Sequence, residues 1–227
     1  MPDQIVSSEY LTLEGQKIST SRNYAIWVKD LLDRYDADSL RYYFLANGPE
    51  KKDADFSWTE YVNNHNGELL GAYGNFINRS LTFINKYFDG VVPEGKLSSE
   101  WEETLQELFV KTGKRIEKGN FKDAIEGIFE VVRRANKFFD EEQPWKTRTA
   151  DIEACRNALY QCVQIIANLV VLLSPFLPFS SEKVCNWLHL TNEWKFTIVP
   201  AGLKLPEIQI LFERIDKSVI EEERNKL

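Results

Sequence analysis

The sequence predicts a mainly α protein, an antiparallel helical bundle preceded by a small mixed α/β segment. Three observations carry that expectation. Beyond residue 57 the apolar residues recur at a helical 3–4 spacing almost throughout. Short breaks containing Gly, Asp or Pro separate the periodic stretches, and short breaks place successive helices antiparallel. Before residue 57 the patterns are short and of mixed period. The chain is therefore expected to divide into residues 1–57, a helical domain over 58–216 and a charged tail over 217–227.

In the first part, Tyr10–Leu13 reads as a short strand, Glu14-Gly15 as a turn and Gln16–Asn23 as a polar loop. Asp30–Tyr35 and Asp38–Leu45 read as two short helices, ended by Gly48-Pro49, with a polar stretch over Glu50–Asp55. The first long helix is expected over Thr59–Phe88, with Leu70, Tyr73, Ile77, Leu81, Ile84 and Phe88 on one face. A second starts at Ser99, where Glu102 completes a capping-box pattern, and stops near Gly119. Its core positions are Trp101, Leu105, Leu108, Phe109 and Ile116. The third runs over Asn120–Asp140 on Ile125, Ile128, Val132, Ala135 and Phe139. A fourth covers Asp151–Leu173 and a fifth Ser180–Leu188. The segment Asn192–Pro206 is irregular, with Phe196, Ile198 and Val199 extended.

Composition narrows the function classes. With 43% hydrophobic and 28% charged residues in 227, the chain is neither disordered nor fibrous. Its 28 basic and 35 acidic residues sum to −7, so any nucleic-acid role must rest on a local basic face. Cys155, Cys162 and Cys185 form no CxxC pair and sit in apolar helical patterns, as reduced core thiols of a cytoplasmic protein do. His65 and His189 are too isolated to suggest a metal site, and none is expected. Residues 165–179 are the most apolar stretch, yet Asn168, Ser174, Pro175 and Pro178 interrupt them. They are shorter than the roughly 20 residues of a membrane span and read as a buried helix, so no membrane partner is expected.

Four features can carry chemistry, each with a plainer reading beside it. Gly15–Asn23 gathers an ammonium, three hydroxyls and a guanidinium, the groups that hold a polyphosphate as its charge shifts. It also reads as an ordinary solvated loop. On the first long helix, Glu68, Asn75, Arg79, Thr82 and Lys86 form a stripe opposite the apolar face. Asn75 and Arg79 are i and i+4, and an amide beside a planar fork can read the edge of an unstacked base. A solvated helix face explains the stripe as well. In Asp140-Glu141-Glu142-Gln143-Pro144-Trp145, the indole is either a stacking platform for a base or a plug in a helix junction. Lys111, Lys114, Arg115, Lys118 and Lys122 can follow a phosphate backbone or balance acidic neighbours.

In their order and spacing these segments resemble the methionyl-tRNA synthetase family of class I aminoacyl-tRNA synthetases, from about Glu9 to Asp216. Lys17-Ile18-Ser19-Thr20-Ser21 is similar to the class signature K-M-S-K-S. Asp53–Trp58, Asn75–Arg79 and Phe83–Gly90 resemble the linker and first anticodon helix. Asp140–Trp145 resembles the family's D-x-x-x-P-W turn, and Leu173–Pro178 a later helix junction. The resemblance implies a class Ia anticodon-binding bundle after a stem-contact-like segment that ends the catalytic module. It implies that Asn75, Arg79 and Trp145 recognise the CAU anticodon of methionine tRNA. It also implies that Lys17, Ser19, Thr20 and Ser21 stabilise ATP phosphates while methionyl-adenylate forms. Ile18 stands where the family has Met, and Thr20 where it has a second Lys, which removes one cation from the loop.

The companion signature H-I-G-H needs two histidines three residues apart, which this sequence does not contain. The expectation is a fragment of a methionine-tRNA ligase that is inactive alone and partners the remaining catalytic domain and the anticodon stem-loop, not DNA. ATP and magnesium belong to the full enzyme, with none expected bound here, and any zinc site of the parent lies outside this chain. Two other readings stand beside it. One is the anticodon-binding part of another class I synthetase, such as a cysteinyl or leucyl/valyl relative. The other is a helical scaffold that binds protein and has lost tRNA recognition.

Overall fold

The computed structural model describes residue 1, residues 3–191 and residues 193–227; Pro2 and Asn192, the latter opening the segment expected to be irregular, lie outside the described residues. Strands β1 (Leu11–Leu13) and β2 (Gln16–Lys17) form an antiparallel hairpin. Its two-residue turn is Glu14-Gly15, with φ of 46° and 76°, the doubly left-handed turn that suits the twist of paired strands. The expected polar loop thus begins as a strand. Strand β3 (Ala54–Phe56) pairs parallel to β1 and begins inside the stretch Glu50–Asp55 expected to be polar; only Phe56 of its three residues is buried. Between them lie α1 (Val28–Leu32) and α2 (Ala37–Asn47). Asp36 caps α2 by accepting the Ser39 N–H at 3.1 Å.

The first long helix begins one residue early and is not uniform. It comprises α3 (Trp58–Asn64), a π-helical stretch over His65–Gly74, and α4 (Asn75–Tyr87). The wider π turn explains why Leu69, not Leu70, is buried. Tyr61, His65, Leu69, Tyr73 and Ile77 repeat every four residues, and all five are buried. Glu68 is likewise drawn out of the expected stripe, to pair with Arg133 at 2.9 Å.

The bundle continues with α5 (Ser99–Glu117), α6 (Phe121–Glu142), α7 (Pro144–Ala150), α8 (Ile152–Leu173) and α9 (Pro178–Leu188). The cap of α5 is Ser98, whose Oγ accepts the Trp101 N–H, so the expected Ser99/Glu102 box does not form. Helix α8 is long and apolar enough to cross a membrane, but 83% of its most apolar stretch is buried inside the protein. Its Gln164 and Asn168 each bond backbone both ways. Gln164 accepts the Val199 N–H at 2.8 Å and donates to its carbonyl at 3.0 Å; Asn168 does the same for Thr197 at 2.9 Å. Two side-chain amides therefore act as strand partners for the extended segment. All three cysteines are free and buried, and burial raises the Cys162 thiol to about 12.

Two apolar clusters result. The larger fills the bundle, and the smaller joins Leu13, Leu31, Tyr43, Phe56, Trp58 and Tyr61. Helix α10 (Ser218–Arg224) returns to the smaller one. There Glu223, buried, takes bonds from Arg34, Tyr35 and Lys226, while Arg224 reaches Glu14 at 3.0 Å. Helix α2 grips the α8–α9 junction with two side chains. Asp38 accepts the N–H of Phe179 at 3.3 Å and of Ser180 at 2.6 Å, plus the Ser180 hydroxyl at 2.7 Å. Arg41 donates to the Phe176 and Pro175 carbonyls, both at 2.8 Å. The anion meets a helix start and the cation a helix end, the pairing that orphan backbone groups favour. Beside this joint His65 donates from Nε2 to the Glu213 carbonyl at 2.7 Å, so its Nδ1 accepts the Ser39 hydroxyl at 2.7 Å.

Two outcomes follow from the joint. Asp38→Ala leaves buried N–H groups at the start of α9 unpaired and should lower unfolding stability by about 1–3 kcal/mol, read by urea titration. Burial holds the His65 imidazole below its ordinary 6.5. The unfolded chain therefore binds this proton more readily, and the contribution of His65, complete above pH 6.5, is lost as pH falls. Stability should drop by up to about 1.4 kcal/mol per pH unit there, and His65→Gln should flatten that part of the profile. An unchanged slope in the variant would remove His65 from the account.

Candidate nucleic-acid interface

Helices α4, α6 and α7 bring Arg79 and Trp145 together. Gln143, left-handed with φ 46°, ends α6 and begins α7 in one residue, and buried Pro144 opens α7. That reversal sets Trp145 beside the last turn of α6, its ring 6.0 Å from Phe139 and tilted 37°. The Arg79 guanidinium lies 4.4 Å from the Phe139 centroid and 6.0 Å from that of Trp145. Its Nη2 bonds Asp140 at 2.6 Å. The Phe139 ring and the Asp140 carboxylate hold the planar fork, which keeps further N–H donors free. Trp145 is 43% exposed, so its indole neither plugs the junction nor stands clear of it. An unstacked base can rest on that ring while its edge meets the fork.

Asn75 begins α4, one turn from Arg79, and its amide has no hydrogen-bond partner among the described residues. It lines a cleft formed with the segment at 210–214. Thus the structure pairs Arg79 with Trp145 directly, and Asn75 precedes Arg79 by one helical turn on α4. Sequence patterning places Phe139 in the core of the third helix and Asp140 at the head of the turn before Trp145; that both hold Arg79 is visible only in the structure. At the far end of α4, Lys86 of the expected stripe lies 5.1 Å from the ring centroid of Tyr87, and Arg148 of α7, which sequence patterning does not name, lies 4.2 Å from it. Arg148 sits three residues after Trp145, a helical spacing that offers a signal in the sequence. Neither Lys86 nor Arg148 has a salt bridge among the described residues, so both leave positive charge on this face.

The hairpin loop rests on the smaller apolar cluster, through Leu13 and Tyr24. Lys17 closes β2 and is exposed; Ser19 pairs with Tyr24, and Thr20–Arg22 make a single 3-10 turn. The Ser19 and Ser21 hydroxyls are 3.2 Å apart, and Arg22 folds back to the Lys17 carbonyl at 3.3 Å. Lys17, Thr20 and Ser21 thus face solvent from one compact turn, with Ser19 half-buried beneath. Asp55 anchors the hairpin by accepting from the Thr12 hydroxyl at 2.6 Å and the Gly15 N–H at 2.8 Å. Glu14 accepts the Trp58 N–H at 2.7 Å, tying the loop's base to the start of α3. Among the described residues no group of three or more His, Cys, Asp or Glu is arranged to hold a metal ion.

The basic cluster at 111–122 lies apart from Arg79. Lys122 sits in the first turn of α6 and Asp140 in its last, so about 27 Å of helix separates them. Within the cluster Lys111 pairs with Glu107 at 2.6 Å and Arg115 donates to the Asp123 carbonyl at 2.8 Å. Two of its five charges are thereby engaged locally.

Comparison with known proteins agrees with this architecture. Residues 1–81 match the family model described as tRNA synthetases class I (M), and residues 100–223 that of the anticodon-binding domain of tRNA ligase. A methionine–tRNA ligase of Alkaliphilus oremlandii is 52% identical over the whole chain, and the chain spans 42% of that relative's length. The crystal structure of the apo form of Mycobacterium tuberculosis methionyl-tRNA synthetase superposes with a TM-score of 0.85 at 25% identity, over 95% of this chain and 44% of that one. The same enzyme in complex with methionyl-adenylate gives 0.84 at 27% identity, over 90% of this chain and 43% of that one. A helical bundle of this topology, entered through a small sheet and matched along its entire length, belongs to the methionyl-tRNA synthetase family.

Proposed function

We propose that this chain is the part of a methionine–tRNA ligase that reads the CAU anticodon of methionine tRNA and supplies the signature loop for methionyl-adenylate formation. The observation that carries the first half is the stack of Arg79 over Phe139 beside the half-open ring of Trp145. A base laid on the indole places its edge toward a fork already oriented by Asp140, so little ordering remains to be done on binding. Lys86 and Arg148 give the adjoining phosphates a positive surface in a chain whose net charge is −7.

The second half rests on the hairpin. As ATP reacts, negative charge moves onto the departing pyrophosphate, and donors already in place stabilise it most. Lys17 and the hydroxyls of Ser19, Thr20 and Ser21 would serve as those donors on a turn braced by Asp55 and Glu14. Magnesium would reach the reaction with the nucleotide. Trp27, 61% exposed, with Val28 and Leu32 also exposed on α1, forms an apolar face suited to packing against the remaining catalytic domain. Residues 1–57 would then close the catalytic module and 58–216 form the anticodon domain. The chain alone should neither activate methionine nor charge tRNA.

Binding of a fluorescent CAU anticodon stem-loop tests the reading. The 227-residue chain should prefer CAU to a stem-loop with a changed first base at moderate salt. Trp145→Ala should cost about 1–3 kcal/mol of binding without unfolding the bundle. Arg79→Lys should relax base choice more than it weakens affinity for unrelated RNA. Equal affinity for every anticodon in the parent chain would overturn base reading. Salt-insensitive binding to a protein instead of RNA would favour a scaffold.

A further inference from the structure

Glu14 holds the first central place of the β1–β2 turn with φ 46°, a conformation in which Gly or Asn sits freely and Glu is strained. It brings to that place a carboxylate, only 17% exposed, with both oxygens engaged. Oε1 accepts the Trp58 N–H at 2.7 Å, and Oε2 accepts the Nε–H of Arg224 at 3.0 Å. Trp58 opens α3, where the orphan N–H groups of a helix start lie, and Ser57, the cap residue, makes no side-chain bond to them. A carboxylate from the hairpin therefore caps α3 in its place, an anion at the positive end of a helix.

Arg224 commits all three guanidinium nitrogens. Nε donates to Glu14, Nη2 to the Thr59 hydroxyl at 3.0 Å and Nη1 to Glu221 at 3.2 Å. A planar fork that spans the hairpin turn and the first turn of α3 fixes their separation, which a flexible ammonium would not. Helix α10 is itself anchored independently, by Glu223 to Arg34, Tyr35 and Lys226 and by Ile220 against the smaller apolar cluster. The tail at 217–227, which patterning reads only as charged, therefore reaches back to the hairpin. Lys17 faces Thr12 across that hairpin, three residues on from Glu14. Beyond Lys17 the loop has few ties of its own. Ser19 and Tyr24 exchange backbone bonds at 2.8 and 2.9 Å, and the Tyr24 hydroxyl donates to the Leu13 carbonyl at 2.9 Å. A displacement of Glu14 is thus carried directly to Lys17 and the hydroxyls after it.

We propose that Arg224, acting through Glu14, is a positioning residue for the loop at Lys17–Ser21, so that the tail helix works with the catalytic module and does not merely trail the bundle. The inference rests on the reading that this loop stabilises the departing pyrophosphate. Donors aimed at the place where charge develops lose much of their effect when moved by an ångström. Because they act on the transition state, the loss falls on kcat and leaves methionine binding as it was.

The test uses the 227-residue chain and, beside it, the full-length ligase that carries it, numbered as here. In the chain, Arg224→Gln should speed amide hydrogen exchange at Ser19 and Tyr24 by roughly tenfold or more, while the amides of α5 and α8 keep their protection. In the ligase, Arg224→Gln and Glu14→Gln should each lower kcat for methionine-dependent ATP–pyrophosphate exchange by about tenfold, with the KM for methionine unchanged. In a Lys17→Ala background, Arg224→Gln should cost less than about twofold more, because the group it positions is already gone. Ser98→Ala, which removes the cap of α5, should leave the exchange rate as it is. Fully multiplicative losses in the double variant, unchanged amide exchange at Ser19 and Tyr24, or an equal loss in Ser98→Ala would reduce the tie to a structural brace. Each overturns the inference while the loop reading stands. If Lys17→Ala by itself leaves pyrophosphate exchange unchanged, the loop reading falls and this inference with it.

Discussion

The hold of α2 on the α8–α9 junction is the constraint on which the rest depends. Asp38 and Arg41 lie one turn apart, and they satisfy opposite ends of two successive helices. Had either been apolar, the orphan backbone groups at that junction would have been buried without partners. Because α2 also packs in the cluster beneath the hairpin, this one turn fixes the Lys17–Ser21 loop relative to the bundle. Helix α10 supplies a second tie through Arg224 and Glu14, so the loop's base is held by both the start of α3 and α10.

The π-helical stretch has a comparable reach. A wider turn spends extra residues on one circuit, which moves Leu69 into the core and leaves Leu70 and Gly71 at the wall of a cleft. It also delivers Asn75 and Arg79 to the surface at the start of a regular α-helix, where i and i+4 spacing is restored. The face proposed to read bases and the cleft beside it are thus consequences of one local departure from α geometry. π turns are often found at functional sites, and here the reason is a change of phase between core and surface.

The charge arrangement follows the same economy. The chain is acidic overall, yet Lys86, Lys146, Arg148 and Arg214 remain without salt bridges among the described residues, on or beside α4 and α7. Arg79 is the exception on that face, since it is tied to Asp140. A fork held by a ring and a carboxylate loses less freedom when a base arrives than a free one would. The unpaired cations, by contrast, are suited to long-range attraction of phosphate.

Much of this was legible in the sequence because it depends on short-range periodicity. The apolar spacing placed α5, α6, α8 and α9 to within two residues, and the five core positions named in α6 are all buried, while Ala124, Phe129 and Val131 of the same helix are buried as well. The local motifs pointed to Lys17–Ser21, Asn75, Arg79 and Trp145 as residues of interest. What patterning missed involves partners far apart in the chain or a change of helical period. Strand β3 forms only because β1 lies beside it, 40-odd residues away, and α10 only because Arg34 and Glu14 receive it. Helix composition and amphipathicity are properties of neighbours in sequence, so the sequence by itself determined the bundle and its core. Which amides stay unpaired, which arginine is pinned and where a cleft opens are set by residues 60 to 150 positions apart, and these only the tertiary structure decided.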